Sequence, residues 1–206
     1  MRPDTDPLTG EATALPGATH IGYTAVLGDA AQFAPALWKL AVDKDVPRAA
    51  RSSVTADGAA WIWNLVADYF PDSVQIVDWY HADEHLALAA QALYPDDEAQ
   101  ARRWRHQMHT PLYLGEAWRI AQNLHHAQLS DHAHYFHTHQ RRMQYQDFRE
   151  AGYPIGSGTV ESGCKQFKAR LTGPGMLWSR VGAARMLVIR AAIMERSFDR
   201  LWAQAA

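Results

Sequence analysis

Asp57, Asp78 and Glu161 are the residues of this chain whose types and surroundings point to metal chemistry. Asp57 follows Ser-Ser-Val-Thr-Ala and Asp78 follows Val-Gln-Ile-Val, and both runs read as short strands. The two acids are twenty-one positions apart, each at the carboxyl end of its strand. In sheets with parallel strands, ligand sites gather at those ends. Glu161 is the only acid in residues 151–190 and lies close to Lys165 and Lys168, after a Gly-Ser-Gly turn. Hard cations such as Mg²⁺ take carboxylate oxygens, and in two-metal phosphoryl transfer several carboxylates hold ions about 3.5–4 Å apart. Two like charges at about 4 Å repel by roughly 4 kcal/mol at an effective dielectric near 20. Such a cluster therefore calls for a cation or a raised pKa. Glu161 also has a plain structural reading, because a carboxylate in the first turn of a helix is favoured by the dipole alone.

Other residues suggest rival chemistry. His81-Ala-Asp-Glu84-His85 fits the H-x-x-E-H pattern of inverted zinc proteases. On a helix His81 and His85 share one face, Glu84 is the candidate base, and Glu161 is the candidate third ligand. A second rival is a metal-binding tract, since His125, His126, His132, His134, His137 and His139 crowd fifteen residues. Without cysteines or well-placed acids, that tract reads as an exposed helical face. The third rival is non-catalytic DNA binding, with Lys165, Lys168, Arg170 and Arg180 on phosphates and Trp178 as a stacking or core residue.

The elements that must position these residues follow from periodicity and punctuation. His20 to Leu27 reads as a strand, and Asp29 as the cap of a helix that Pro35 can kink. Strand 52–56, helix 59–70, strand 74–77 and helix 81–93 come next. Strand and helix thus alternate, the pattern of an α/β fold with parallel strands. From Pro95 to Glu150 no strand is legible, and the stretch reads as helical. A helix over 159–171, a Gly-Pro-Gly loop, and a long last helix capped by Ser179 and ending near Trp202 complete the chain. Residues 1–18, rich in Pro, Gly, Thr and Asp, read as a flexible lead-in.

Bulk composition narrows the classes. The 206 residues, 48% apolar and 20% charged, are ordinary for a globular protein with a core. No segment is apolar and long enough for a membrane span, and the N-terminus does not read as a signal peptide. The single Cys164 rules out an internal disulfide, fits a reducing cytoplasm, and reads as an inert buried thiol. Net charge is −2, but residues 51–100 hold nine acids and one Arg, while residues 151–190 hold six Lys or Arg and one acid. An acidic zone and a basic zone suit a metal site next to a phosphate-binding surface, or simply two solvated faces.

Two blocks, "GDAAQFAPALWKLA…TADGAAWIWNLVADYFPDSVQIVDWYHADEHL" and "PIGSGTVESGCKQFKARLTGPGMLWS…AARMLVIRA", carry a family resemblance. They resemble the C-terminal part of bacterial DDE-type transposases of the ISKra-type insertion-sequence family and its mutator-like relatives, over about residues 24–195. The resemblance implies an α/β, ribonuclease-H-like catalytic domain, in which Mg²⁺ (or Mn²⁺) in a two-ion site supports DNA strand cleavage and transfer. It implies that Asp57 is the second catalytic Asp and Glu161 the third acid. Asp78 and His81 match a D-x-x-H motif beside the site. By the same reading, residues 19–87 are the ribonuclease-H-like part, 88–150 a helical insertion, and 151–206 the helices that complete the domain. The family's first Asp lies on a strand upstream of the one that residues 20–27 resemble, and Asp4 and Asp6, among prolines, do not look like that strand. So read, the chain is a truncated and inactive copy. Its expected place is the bacterial cytoplasm, associated with the nucleoid. Its expected partner is DNA, with a second copy of the chain left open and no membrane.

Overall fold

The computed structural model describes residues 4–5, 10, 12–13 and 18–205. The fold is mostly helical, about 65%, with one small parallel sheet. Two compact units divide the chain: one draws on 1–16, 53–63 and 73–157, the other on 17–52, 64–72 and 158–206.

The first unit opens with a two-residue antiparallel pair, β1 (Asp4–Thr5) and β2 (Ala12–Thr13), inside the stretch expected to be a flexible lead-in. Its parallel sheet is β3 (Ser53–Ala56) beside β4 (Val74–Val77), in the register Ser53↔Val74 through Ala56↔Val77. β-branched Val54, Thr55, Val74, Ile76 and Val77 suit the pleated backbone. Ile76 and Val77 point to opposite faces, yet both are fully buried, so β4 is covered on both sides there.

α1 (Ala30–Asp43) lies in the second unit, and α2 (Ala60–Tyr69) links the two strands. After β4 the first unit is helical: α3 (Trp79–Leu93), α4 (Glu98–Tyr113), α5 (Ala117–His126), α6 (Ser130–His139) and α7 (Tyr145–Glu150). Helices α3 to α6 each bury a stripe at helical spacing, such as Ala117, Ile120, Ala121 and Leu124 on α5, and α7 buries Tyr145. Trp79 anchors this core, edge-on to Tyr145 with ring centroids 4.9 Å apart. The α3–α4 pair is also tied by charge. Arg105 donates to both oxygens of Asp83, and His109 Nε2 lies 2.7 Å from Oδ1. Burial opposes the Asp83 charge, but the His109 and Arg105 hydrogen bonds outweigh it and bring the carboxyl down to about 2.

In the second unit, Asp29 caps the start of α1 as the sequence suggests, and Gln32 completes a capping box with it. Trp38 packs against Tyr69 and Phe70, with centroids 6.1 and 5.7 Å away. α8 (Gly158–Leu171), α9 (Arg180–Met194) and α10 (Phe198–Ala205) follow, with Ser179 capping α9 through a bond from Gly182 N–H. Lys44 pairs with Glu195 at 2.6 Å.

Several expectations are corrected. Residues 20–27 are not a strand but irregular backbone, and among the described residues no strand pairs with them. A strand without a ladder leaves its N–H and C=O groups without partners. Tyr23 in this segment instead meets Phe167 of α8, 6.4 Å between centroids. Gly163 permits that approach, since a Cβ there would lie 2.8 Å from the Tyr23 ring. The last helix is not continuous, because Arg196 adopts φ 61° between α9 and α10. The helix after β4 starts at Trp79, two positions before the expected start at 81. Cys164 is exposed rather than buried. No helix among the described residues is long and apolar enough to cross a membrane.

Candidate active site

The β3–β4 register places Asp57 and Asp78 side by side. Ala56 pairs with Val77, and Asp78 N–H donates to Ala56 O at 2.8 Å, so the next positions in line are the two aspartates. Neighbouring strands are about 4.8 Å apart, which sets the scale of their backbone separation. Both residues stand at carboxyl ends of parallel strands, where the sequence had put them.

The two carboxylates are engaged differently. Asp78 is buried, 1% exposed. Its Oδ1 accepts from Tyr80 N–H (2.7 Å) and His81 N–H (3.1 Å), capping α3. Its Oδ2 accepts from Ser157 N–H at 2.5 Å. Three backbone donors thus occupy this side chain. Trp79 N–H donates to Ile155 O, and the Thr55 hydroxyl to Pro154 O, so residues 154–157 are pinned beside the strand ends. Asp57 is exposed, and only its Oδ1 is occupied, by Ala59 N–H at 2.9 Å. Its other oxygen has no partner among the described residues.

A wall of aromatic and imidazole rings lies next to Asp57. Gly58 turns the chain with φ 99°, and a Cβ there would meet the Tyr135 ring at 3.2 Å and His139 Nε2 at 3.5 Å. The positive φ calls for glycine at this position, and its missing side chain lets the Tyr135 ring approach closely. His85 stacks on Tyr135 with centroids 3.5 Å apart, and His139 meets the same ring edge-on at 4.9 Å. The hydroxyls of Tyr135 and Tyr145 are buried without a hydrogen-bond partner among the described residues. Burial first, then the Asp57, Asp78 and Glu84 charges, pushes the Tyr135 phenol up. It stays protonated at neutral pH.

Burial first, then Arg142, lowers His139 to about 4. Burial also lowers His85, helped by His132 and His81. Both imidazoles are therefore neutral at pH 7. Arg142 Nη1 lies 3.4 Å from His139 Nδ1, which puts the ring proton on Nε2, the nitrogen nearest Gly58.

His81 lies on α3 with Nδ1 3.1 Å from Glu84, while His85 lies flat on Tyr135. Of the histidine tract, His125, His126, His134 and His137 are exposed, His132 is half-buried and His139 is buried. Among the described residues no three of His, Cys, Asp and Glu gather as a metal cage. Glu161, Lys165, Lys168, Arg170 and Arg180 belong to the second unit, and all are exposed. Glu161 lies in the first turn of α8, 3.8 Å from Lys165. Trp178 donates to Leu171 O at 3.1 Å.

Sequence reading missed Tyr135, and took His139 only as part of an exposed histidine face, whereas it is buried. Their i, i+4 spacing on α6 is the one signal that could have marked a shared inward face. The chain matches no protein-family profile, no curated protein and no solved structure.

Proposed function

We propose that the chain carries the metal-site part of a DDE-type transposase with a ribonuclease-H-like fold, whose chemistry is Mg²⁺-dependent phosphoryl transfer on DNA, and that this copy is not itself catalytically active. The observation that carries this is Asp57, an exposed carboxylate with an open oxygen at a parallel strand end, beside the buried Asp78.

The donor chemistry fits the cation at Asp57 and at Glu161, which are exposed carboxylates. It does not fit at Asp78, whose oxygens are taken by three N–H groups. Mg²⁺ is commonly held by one or two carboxylates plus substrate phosphates, so a full protein cage is not required. A cation held by these carboxylates would supply activation of the attacking oxygen and stabilisation of the leaving one. Asp78 positions: it fixes the start of α3 and the turn that precedes α8. Gly58 and the Tyr135 wall close off one side of Asp57. The basic side chains Lys165, Lys168, Arg170 and Arg180 offer charge to DNA phosphates. In this reading the protein works on the chromosome in a bacterial cytoplasm.

Thermal melting with and without Mn²⁺ tests the reading. Wild type is expected to gain several degrees with the ion, and Asp57→Ala or Glu161→Ala to gain little. An equal gain in both variants removes these acids from the site.

A second reading, DNA binding without catalysis, is favoured by the exposure of the four basic residues. Lys165→Glu with Lys168→Glu is expected to weaken duplex binding at least tenfold at low salt, and less at high salt. Equal affinity of wild type and variant rejects that surface. The zinc-protease reading has less support, because Glu84 faces His81 and His85 is stacked on Tyr135.

A further inference from the structure

Sequence around the second strand and the α6–α7 connection gives no hint of a ligand, yet an open pocket of about 410 Å³ lies there. Ser73, Val74, Gln75, Thr138, Arg141, Arg142 and Phe148 line it, all in the first unit. It sits at the amino end of β4, the end opposite Asp78.

Two guanidinium groups face this space. Arg142 is half-buried, and its Nε donates to Gln75 Oε1 at 2.7 Å. Its guanidinium carbon lies 4.6 Å over the Trp63 ring, a cation–π seat that fixes the plane. Nη1 leans on His139, which leaves Nη2 without a partner among the described residues. Arg141 is exposed and has no partner there either. Neither arginine pairs with a carboxylate among the described residues. A partly desolvated cation with no counter-ion is costly, and burial does lower the Arg142 pKa. An anion in the pocket removes that cost.

We infer that this pocket binds a phosphate group through Arg141 and Arg142. The guanidinium fork of Arg141 matches phosphate oxygens in pairs, and Nη2 of Arg142 adds a further charged donor. The volume exceeds one phosphate and suits a phosphate carried on a nucleotide, with the Phe148 ring available to a base. Two sources share this chemistry: a DNA strand, or a free nucleotide. The site is separate from the strand-end carboxylates and does not depend on their binding metal.

Binding is measured at low salt, without divalent cations, for pyrophosphate, ADP and a fluorescein-labelled oligothymidylate. Wild type is expected to bind at least one of them saturably. Arg141→Glu, an exposed position, is expected to weaken that binding at least tenfold with an unchanged melting temperature. Arg142→Lys keeps the charge and loses the Nη2 donor held in place by Gln75 and Trp63, and is expected to weaken it several-fold. Arg103→Glu on α4 makes the same charge change elsewhere and is expected to bind like wild type. Oligonucleotide binding alone assigns the pocket to a DNA strand, and displacement by ADP or pyrophosphate assigns it to free phosphates. No saturable binding by wild type, or an Arg141→Glu protein that binds as well as wild type, overturns the inference. Because no metal is present, this outcome is independent of the Asp57 result.

Discussion

Asp78→Ala is expected to destabilise the protein by about 4 kcal/mol, the largest effect of any single substitution considered. The carboxylate accepts three backbone N–H groups in a site 1% exposed. Each buried donor left without a partner costs roughly 1–3 kcal/mol. Loss of the helix cap is part of that cost, typically about 1 kcal/mol. Relief of repulsion from Asp57 works the other way, but Asp57 is exposed and screened, so this is worth on the order of 1 kcal/mol. Destabilisation wins. Asp78→Asn separates the two jobs. An amide oxygen can still cap α3, while the NH₂ group faces the Ser157 N–H, donor against donor. Its expected cost is about 2 kcal/mol, with faster amide exchange at Ser157 and an unchanged start of α3. Urea unfolding and hydrogen exchange measure both. If Asp78→Ala changes stability by less than 1 kcal/mol, the three-donor account of this residue is wrong.

His139 is expected to set an acid window of instability. Its pKa in the fold is about 4, against 6.5 for an unhindered imidazole. Between those values the unfolded chain holds the proton and the folded chain does not. Stability is therefore flat above about pH 6.5 and falls as pH drops toward 4. One proton corresponds to about 1.4 kcal/mol per pH unit, so lowering pH from 7 to 5 is expected to remove roughly 2 kcal/mol. The lowered His85 adds in the same direction. Asp83 acts in a different window, since the stability its depressed pKa contributes is lost only as pH falls below about 4 toward 2. His139→Gln is expected to flatten the loss between pH 7 and 5. An unchanged slope in that variant shows that His139 is not the group responsible.

Local signals carried the strand ends well. Val74 to Val77 is a compact β-branched run bounded by Pro71-Asp72 and Asp78, and the structure places it where those signals say. The capping residues Asp29 and Ser179 were equally legible, because a cap acts within three residues. Residues 20–27 have strand-like composition but no strand paired with them, and pairing is a property of the rest of the chain. The role of Asp78 was hidden for a similar reason. Its capping of α3 is local, whereas its bond to Ser157 spans seventy-nine positions. The Tyr135–His139 wall lies on α6, far in sequence from Gly58, and only Gly58 hints at a close approach. The arginine pocket joins β4 to the end of α6 and left no periodic trace at all.

The proposed function needs the carboxylates of Asp57 and Glu161 to be ligands for divalent cations. Electron paramagnetic resonance of Mn²⁺ tests it directly, by following the free-ion signal as protein is added. The expected result is loss of the free signal with wild type, and at least tenfold weaker uptake by Asp57→Ala and by Glu161→Ala. Uptake that is unchanged in both variants, or absent from wild type, contradicts it.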